Sequence, residues 1–182
     1  MNEKKIIKIS KYLSLILRHK PEVIGLELDN QAWALTDELL QKLNNKGTNL
    51  SFDELKEVVL RDNKKRYIFS SDFKKIRANQ GHSIPVELDL KETKPPEFLY
   101  HGTAERNMHS VKEKGLIKGK RHHVHLSSDI DTALNVGKRY GKPVILKIKA
   151  GDMHKAGLVF YLSENDVWLT EYVSPDFILF EQ

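Results

Sequence analysis

A charged segment with two adjacent prolines divides this chain into parts with different sequence patterns. The segment is "LDLKETKPPEF", residues 88–98, with Pro95 and Pro96 near its end. Proline lacks a backbone donor and disfavours helix at the residue before it. We therefore predict a linker at residues 91–97, between a first lobe at residues 1–90 and a second lobe at residues 98–182.

The first lobe opens with an amphipathic helix that ends in two cationic residues. Apolar residues recur at helical spacing on one face as far as Leu17, and Arg18 projects away from that face. Pro21 then stops the helix, so Arg18 and His19 fall in or next to its last turn. The helix dipole favours cations there by about 0.3–1 kcal/mol. The pair is therefore either a solubilising helix end or one corner of an anion-binding site.

A short strand, two more helices and a pair of strands complete the first lobe. "GLELDNQAW" predicts a short strand and turn, and "LTDELLQKLNNKG" predicts a helix with Thr36 as its N-cap. Ser51 and Glu54 have the spacing of a capping box at the start of the third helix. "RYIFSSDFKKIRANQG" predicts two strands joined by a polar turn. Three helices followed by a hairpin indicate a winged-helix lobe, a unit often found on nucleic acids.

The second lobe has short apolar runs interrupted by two helical patterns. The helices are predicted in "AERNMHSVKEKG" and "DTALNVGKRYG". The strands are predicted in "FLYHGT", "HVHLS", "PVILKIK", "GLVFYL", "VWLT" and "FILFE". The chain is therefore expected to be α+β, a winged-helix lobe followed by a mixed α/β lobe. Neither the Rossmann nor the P-loop nucleotide-binding motif occurs.

Composition excludes several classes of protein. The 182 residues contain no cysteine, which excludes a disulfide framework, a thiolate nucleophile and a cysteine-based zinc site. No apolar run approaches the roughly 18 residues of a membrane span, and the start lacks a signal peptide. We therefore expect a cytoplasmic protein with no membrane association. A monomer is a separate expectation. The net charge of +5 favours a polyanionic partner without requiring one.

Two polar clusters in the first lobe could carry chemistry. Arg66 opens a strand directly after two lysines in "KKRYIF". It is either part of a solvated charge run or a phosphate contact. "IRANQGHS", residues 76–83, gathers hydrogen-bonding side chains around one glycine. The alternative for that cluster is a polar end of the hairpin.

A third cluster, "YHGT", follows the first strand of the second lobe. His101 ends an apolar run, and Gly102 could let the backbone approach a small ligand closely. The alternative is a strand-to-helix turn in which Thr103 is the N-cap.

A fourth cluster is "KRHHVHLSSD", residues 120–129. His123 and His125 are two positions apart on a predicted strand and so face the same side. A catalytic zinc site needs about three protein ligands, and nothing nearby completes such a set. We therefore predict no metal. The imidazoles beside Arg121 could instead form an anion pocket, because arginine binds phosphate oxygens with charge-assisted hydrogen bonds.

The four clusters share a chemical character. They combine arginine, histidine and small polar residues with few carboxylates. A pair of acids for glycoside hydrolysis is not evident, and a GxSxG nucleophile motif is absent. Any reaction here is expected to concern a phosphate or nucleotide held by cations.

Five segments, in order, resemble the RNA 2'-phosphotransferases of the KptA type, the NAD-dependent tRNA 2'-phosphotransferase family. They are "SKYLSLILRHKPE", "KKRYIF", "IRANQGHS", "FLYHGT" and "RHHVHLS". The similarity covers nearly the whole chain, including "VWLT" near its end. It implies that the winged-helix lobe is followed by a lobe of the ADP-ribosyltransferase type.

The resemblance implies a reaction in two steps. An oxygen of an internal RNA 2'-phosphate attacks C1'' of the nicotinamide ribose of NAD and expels nicotinamide, which leaves RNA 2'-phospho-ADP-ribose. The ribose O2'' then attacks the phosphorus, giving ADP-ribose 1'',2''-cyclic phosphate and RNA with a free 2'-OH. NAD is thus a co-substrate, and the implied partner is a 2'-phosphorylated RNA of the kind left at tRNA splice junctions.

The resemblance also implies the site residues. The catalytic set is Arg18, His19, Arg66 and Arg121. The NAD contacts are His101, Gly102, Thr103, His125, Leu126 and Ser127. The RNA contacts are Arg77, Asn79, Gln80 and His82. We expect Arg18 and Arg66 to hold the phosphate, Arg121 to serve the second step, and His19 to donate to the phosphate or transfer a proton. Glu171 in "WLTEYV" is assigned no role.

Two other functions fit the same residues. One is an ADP-ribosyltransferase that stops after the first step and modifies a terminal phosphate on RNA or DNA. The other is a winged-helix regulator that binds nucleic acid and senses NAD. The regulator would bind duplex nucleic acid in a sequence-selective way and release no nicotinamide.

Overall fold

The computed structural model describes residues 1–88 and 90–180 and shows a mixed α/β protein. The chain divides into two compact units, Met1–Asp89 and Leu90–Gln182. None of the helices in the described ranges has the length and apolar character needed to cross a bilayer.

The first unit contains three helices and one small sheet. The helices are α1 (Glu3–Arg18), α2 (Thr36–Asn45) and α3 (Phe52–Leu60). The strands are β1 (Ala34–Leu35), β2 (Tyr67–Phe69) and β3 (Lys75–Ala78). All pairs are antiparallel in the order β1–β3–β2. The predicted order of three helices and a hairpin is therefore confirmed.

Helix α1 ends where the sequence predicts. The Asn2 side chain accepts a hydrogen bond from the Lys5 backbone N–H at 2.8 Å, and His19 is the C-cap. Its buried face is Ile6, Ile9, Leu13, Ile16 and Leu17. These side chains belong to one apolar core with those of α2, α3 and the sheet. Because this face is buried, the Arg18 side chain projects from another side of the helix.

The two remaining helix starts differ in their outcome. The capping box of α3 is confirmed, with Glu54 N–H to Ser51 Oγ at 3.2 Å and Ser51 N–H to Glu54 Oε2 at 3.1 Å. The N-cap predicted at Thr36 is wrong, because Leu35 occupies that position without a side-chain cap. The Thr36 hydroxyl instead donates to the carbonyl of Phe73 at 2.9 Å, in the hairpin turn. The Thr36 hydroxyl is therefore used in a tertiary contact and not in the helix cap that the local sequence predicts.

The strand predicted in "GLELDNQAW" is also wrong. Pro21–Ile24 form a single 3-10 turn that Gly25 ends with φ of 67°, a left-handed conformation that suits glycine. The residues after it follow turns, including one in which the Asp29 side chain accepts from the Trp33 N–H at 2.9 Å. The strand begins only at Ala34, where the chain meets β3.

The second unit contains the remaining helices and strands. The helices are α4 (Met108–Lys114), α5 (Ile130–Gly137) and α6 (Ala150–Lys155). The strands are β4 (Leu99–Ala104), β5 (Leu116–Ile117), β6 (Val124–Leu126), β7 (Pro143–Ile148), β8 (Phe160–Leu162), β9 (Trp168–Thr170), β10 (Tyr172–Val173) and β11 (Ile178–Leu179). The six strands and two helices predicted for this part all form, whereas β5, β10 and α6 were not predicted.

Antiparallel pairing builds three small sheets in the second unit. Their strand orders are β11–β7–β4, β6–β9–β8 and β10–β5. An isolated bridge joins β4 to the end of β6, because Tyr100 and Ser127 exchange two backbone hydrogen bonds of 2.8 Å. This bridge brings the "YHGT" and "RHHVHLS" segments side by side.

The segment predicted as a linker makes contacts within the second unit. The Thr93 N–H donates to the Phe160 carbonyl at 2.9 Å, and the Gly151 N–H donates to the Glu97 carbonyl at 2.9 Å. Pro95 is buried. Residues 91–97 therefore pack along β8 and α6 as part of the unit that begins at Leu90.

Candidate functional site

The end of α1 is held by the segment that follows the hairpin. The Ser83 N–H donates to the Arg18 carbonyl at 2.9 Å. The Ser83 hydroxyl lies 2.9 Å from His19 Nδ1. The two cationic residues of the first motif therefore share a partner from the "IRANQGHS" motif, 64 positions along the chain.

Arg66 lies beside Arg18 in the same unit. The Arg18 Nη2 donates to the Arg66 carbonyl at 3.4 Å, and the Arg18 guanidinium lies 6.0 Å from the centre of the Tyr67 ring. The Asn79 N–H donates to the same Arg66 carbonyl at 2.9 Å. Arg18, His19 and Arg66, predicted from separate segments, thus lie at one end of the first unit.

Asp62 orients Arg66 and was missed by the sequence reasoning. Its carboxylate pairs with Arg66 Nη1 and accepts from the Arg66 backbone N–H at 2.7 Å. The Asp62 side chain is 5% exposed, so water does little to weaken this pair. The signal was an acid four positions before the arginine, just after α3. Among the residues that the structure describes, Asp62 occupies one of the five guanidinium donors, and the others can meet an anion.

Asn79 supports the backbone of this cluster. Its Nδ2 donates to the Lys65 carbonyl at 2.6 Å. Lys65 has φ of 42°, an unfavourable conformation for a residue with a side chain. Asn79 therefore holds the turn that leads into Arg66. Its Oδ1 is buried and accepts no hydrogen bond from the described residues.

Arg77 is stacked on an aromatic ring. Its guanidinium carbon lies 4.5 Å from the centre of the Trp33 ring, across the β1–β3 pair. A cation–π contact of this kind contributes about 0.5–2 kcal/mol and fixes the plane of the guanidinium. Trp33 was also missed, because only the pairing of Ala34 with Ile76 places it opposite Arg77.

The remaining predicted RNA contacts differ in accessibility. Gln80 is half-buried, and its Oε1 accepts nothing from the residues that the structure describes. His82 is buried, with 2% of its surface exposed. Of the four residues predicted to contact RNA, Arg77 and Gln80 are the more accessible.

His101 in the second unit is held as a neutral ring with a defined tautomer. Its Nδ1 lies 2.9 Å from the carbonyl oxygen of His125. A carbonyl only accepts, so Nδ1 carries the proton and Nε2 is an acceptor in the neutral ring. Burial lowers the pKa of His101, the carbonyl bond raises it, and the nearby Arg121 lowers it. Burial dominates, so the neutral form is favoured.

Arg121 and His125 form a second contact of defined polarity. Arg121 Nη1 lies 2.9 Å from His125 Nδ1. Arginine only donates, so His125 Nδ1 accepts and a neutral ring carries its proton on Nε2. Arg121, which is predicted to serve the second step, is therefore oriented by His125, which is predicted to bind NAD.

Gly102 is required for packing, which differs from the reason the sequence suggested. A Cβ on Gly102 would lie 1.7 Å from the carbonyl oxygen of Ala133 in α5. The glycine thus lets α5 approach β4, and its missing side chain faces the helix. His101 and Thr103 project from the opposite face of β4. A ligand on that face would meet their side chains.

Thr103, Leu126 and Ser127 are less available than predicted. Thr103 is buried in β4 and is not an N-cap, and its hydroxyl accepts from Asn107 Nδ2 at 3.1 Å. The Leu126 side chain is 1% exposed and lies in the core. The Ser127 backbone is engaged with Tyr100.

The other histidine of this segment, His123, packs against a ring. Its centre lies 5.5 Å from that of Tyr161. Burial lowers the pKa of His123, and the carboxylate of Glu171 opposes this shift. Glu171 itself pairs with Lys118. Within residues 1–88 and 90–180, no group of three or more potential ligands is arranged to hold a metal ion.

Comparison with known proteins agrees with the segments found in the sequence. A profile described as "RNA 2'-phosphotransferase, Tpt1 / KptA family" matches residues 4–172. A relative from Flavobacterium johnsoniae is 52% identical over 181 residues, 100% of both chains. One from Fusobacterium nucleatum is 52% identical over 175 residues, 96% of this chain and 98% of its own. One from Rhodopirellula baltica is 48% identical over 179 residues, 98% of this chain and 97% of its own.

All three relatives carry the name "Probable RNA 2'-phosphotransferase". The profile spans both units, including the segments that contribute Arg18, Arg66 and Arg121. The chain therefore belongs to the RNA 2'-phosphotransferase, Tpt1 / KptA family, and is a transferase.

Proposed function

We propose that this protein removes an internal 2'-phosphate from RNA and transfers it to NAD in the two steps described above. The observation that carries the proposal is the cationic cluster at the end of α1, where Arg18, His19 and Arg66 meet in a chain of this family. The proposal includes a winged-helix first unit and an ADP-ribosyltransferase-like second unit. It also includes a cytoplasmic monomer acting on RNA of the tRNA splice-junction type.

The cationic cluster matches the charge of the proposed substrate. A phosphate monoester carries about −1.5 to −2 charges at pH 7. Two guanidiniums can neutralise it and donate several charge-assisted hydrogen bonds at once. Asp62 holds Arg66 in place before the phosphate arrives, so less side-chain freedom is lost on binding. Arg18 and Arg66 are therefore assigned to the phosphate.

His19 is assigned to proton transfer or donation at the phosphate. The Ser83 hydroxyl contacts Nδ1 at 2.9 Å and so orients the His19 ring. Nε2 is then the nitrogen that would meet the phosphate. A ring that is held in place transfers a proton more effectively than one that rotates.

The second unit offers groups that complement a ribose. NAD supplies an electrophilic ribose carbon and a hydroxyl that can later act as a nucleophile. Neutral His101 presents Nε2 as an acceptor for a ribose hydroxyl, because its Nδ1 proton is used by the His125 carbonyl. His125 in turn carries its ring proton on Nε2, since Arg121 donates to its Nδ1. The donor and acceptor set fits NAD without a metal ion.

Arg121 is assigned to the second step. Negative charge builds on the phosphoryl oxygens when the ribose hydroxyl attacks phosphorus, and a fixed cation stabilises that transition state. The His125 contact fixes the Arg121 side chain, which is otherwise exposed.

The test uses RNA with one radiolabelled internal 2'-phosphate, incubated with and without NAD. We expect the label to move to ADP-ribose 1'',2''-cyclic phosphate only when NAD is present. Label that stays on a heavier, ADP-ribosylated RNA would show the one-step enzyme instead. Unchanged RNA with a folded protein would contradict both, and would leave the nucleic-acid-binding regulator.

Variants then test the residue assignments. Arg18→Ala and Arg66→Ala should each lower the first step roughly 10- to 100-fold, the range expected for lost charge-assisted hydrogen bonds. Arg106→Ala is the matched control, because Arg106 is exposed and is not one of the proposed site residues. If Arg121→Ala abolished nicotinamide release as completely as product formation, its assignment to the second step would be wrong.

A further inference from the structure

Helix α1 carries a row of lysines on its outer face. Lys4, Lys8 and Lys11 are exposed, on the side opposite the buried apolar residues. At about 100° per residue, Lys4 and Lys11 lie within about 40° of Arg18 around the helix axis, and Lys8 lies about 80° away. We call Lys4, Lys8 and Lys11 the lysine row. It leads along the helix to the proposed phosphate site.

The lysine row is not neutralised by acids. Within residues 1–88 and 90–180, none of its three side chains takes part in an ion pair or hydrogen bond. The neighbouring Lys5, by contrast, pairs with Glu54 of α3 at 2.6 Å. Glu57 of α3 is likewise engaged, with the N-terminal ammonium at 2.9 Å and with Arg61.

One acid stands on α1 itself. Glu3 occupies the first turn, where the helix dipole favours a negative charge. It lies about 100° from Lys4 and about 140° from Lys8 around the axis. Glu3 also lies about 60° from Arg18 around the axis, but at the opposite end of the helix. The outer face therefore carries the three positive charges of the row against one negative charge.

We propose that the lysine row binds backbone phosphates of RNA that flank the nucleotide bearing the 2'-phosphate. This inference rests on the proposed function, because it places the reacting phosphate at Arg18. An RNA strand fits this face because its phosphates repeat along the strand, as the lysines of the row repeat along the helix. Lysine is a compact charge on a flexible stem, which suits contacts to phosphates without reading of bases.

Distances along the helix set the length of RNA that is needed. At about 1.5 Å per residue, Lys11 lies about 10 Å before Arg18 and Lys4 about 21 Å before it. A trinucleotide held at Arg18 cannot reach the far end of this row. A strand long enough to span α1, about 24 Å, can contact all three lysines. The row should therefore distinguish long RNA from short RNA.

The test replaces the whole row with glutamine, as Lys4→Gln, Lys8→Gln and Lys11→Gln in one protein. The matched control carries Lys46→Gln, Lys114→Gln and Lys138→Gln, which removes three exposed lysines elsewhere. Two 2'-phosphorylated RNAs are compared, one long enough to span α1 and one of three nucleotides. Their binding is measured by fluorescence anisotropy over a range of salt concentrations without NAD.

We expect the row variant to lose long-RNA affinity roughly tenfold or more. The slope of log affinity against log salt concentration should fall by about 2, at about 0.7 for each phosphate contact to a single strand. The control variant should keep the wild-type slope and the wild-type preference for long RNA. An unchanged slope in the row variant, an equal loss in the control, or a wild type without preference for long RNA would each overturn the inference.

Two results separate this inference from the proposed function. Long-RNA binding that depends on the row, in a protein that transfers no phosphate to NAD, would contradict the proposed function and leave the RNA surface standing. Vesicles of anionic phospholipid are the second probe. Vesicle binding that requires the row, with RNA binding unaffected, would assign the row to a membrane surface and overturn the RNA contact.

Discussion

The hydroxyl of Ser83 lies 2.9 Å from Nδ1 of His19, although the two residues are 64 positions apart. The Ser83 N–H also donates to the Arg18 carbonyl, at 2.9 Å. One serine thus holds both the end of α1 and the imidazole that follows it. The geometry of the proposed phosphate site depends on this contact between two distant motifs.

Replacement of Ser83 should impair catalysis more than folding. Ser83→Ala removes one hydrogen bond to the His19 ring, worth about 0.5–1.5 kcal/mol, so kcat should fall roughly 2- to 10-fold. The backbone bond to Arg18 remains, so the melting temperature should change little. Ser83→Thr keeps the hydroxyl and should recover activity. If Ser83→Thr were as impaired as Ser83→Ala, the hydroxyl would not be the cause.

Replacement of His125 should affect the second step through Arg121. His125→Ala removes the acceptor for Arg121 Nη1, so the guanidinium loses its orientation. We expect RNA 2'-phospho-ADP-ribose to accumulate, with the second step slowed roughly 10-fold. The ratio of this RNA to final product, followed with time, measures the effect. His125→Asn, whose Oδ1 can accept, should lower the accumulation, and equal accumulation in both variants would contradict the role as an acceptor.

Gly102→Ala should unfold the second unit more readily. The added Cβ would lie 1.7 Å from the Ala133 carbonyl oxygen, so α5 must move away from β4. Overpacking of this kind costs about 1–3 kcal/mol or more. Thermal unfolding measures the loss. A Gly102→Ala protein of unchanged stability with weaker NAD binding would show that the glycine serves the ligand.

Stability should fall as the pH is lowered, partly because of His101. Burial lowers the pKa of folded His101 below the ordinary histidine value of 6.5, so the unfolded chain binds more protons near that pH. The free energy of unfolding therefore rises with pH in this range. The contribution is present above about pH 6.5 and is lost as the pH falls towards the folded pKa.

The matched variant for this pH dependence is His101→Gln, whose amide can donate to the His125 carbonyl but does not titrate. Chemical denaturation at several pH values should show a shallower loss of stability in His101→Gln than in wild type. His123, whose pKa burial also lowers, is unchanged in both proteins and contributes equally. Parallel curves for the two proteins would contradict a buried neutral His101.

Trp33 should contribute to RNA binding through Arg77. Trp33→Leu removes the ring 4.5 Å from the guanidinium and should raise KM for RNA roughly 2- to 10-fold, with kcat little changed. The double variant with Arg77→Ala tests the coupling. If Trp33 acts by orienting Arg77, the double variant should be no worse than Arg77→Ala alone. Additive losses would show that the two residues act independently.

Local sequence patterns were sufficient for most of the helices and strands. The end of α1 and the capping box at Ser51 depend on neighbours within four positions, and both formed where predicted. The five motifs, in their order along the chain, were also sufficient to indicate the family. Thr36 shows the limit of local reasoning, since its hydroxyl serves the hairpin turn instead of its own helix.

The partners of the site residues could be known only from the tertiary structure. Asp62 beside Arg66, Trp33 beneath Arg77 and Ser83 against His19 follow from how strands pair and where the chain returns. The same holds for Gly102, because the helix that leaves no room for a side chain there begins 28 positions later. Residue type and order determine which groups can bind a phosphate. Which groups orient them is decided by contacts between segments distant in sequence, because packing brings together atoms that no local pattern relates.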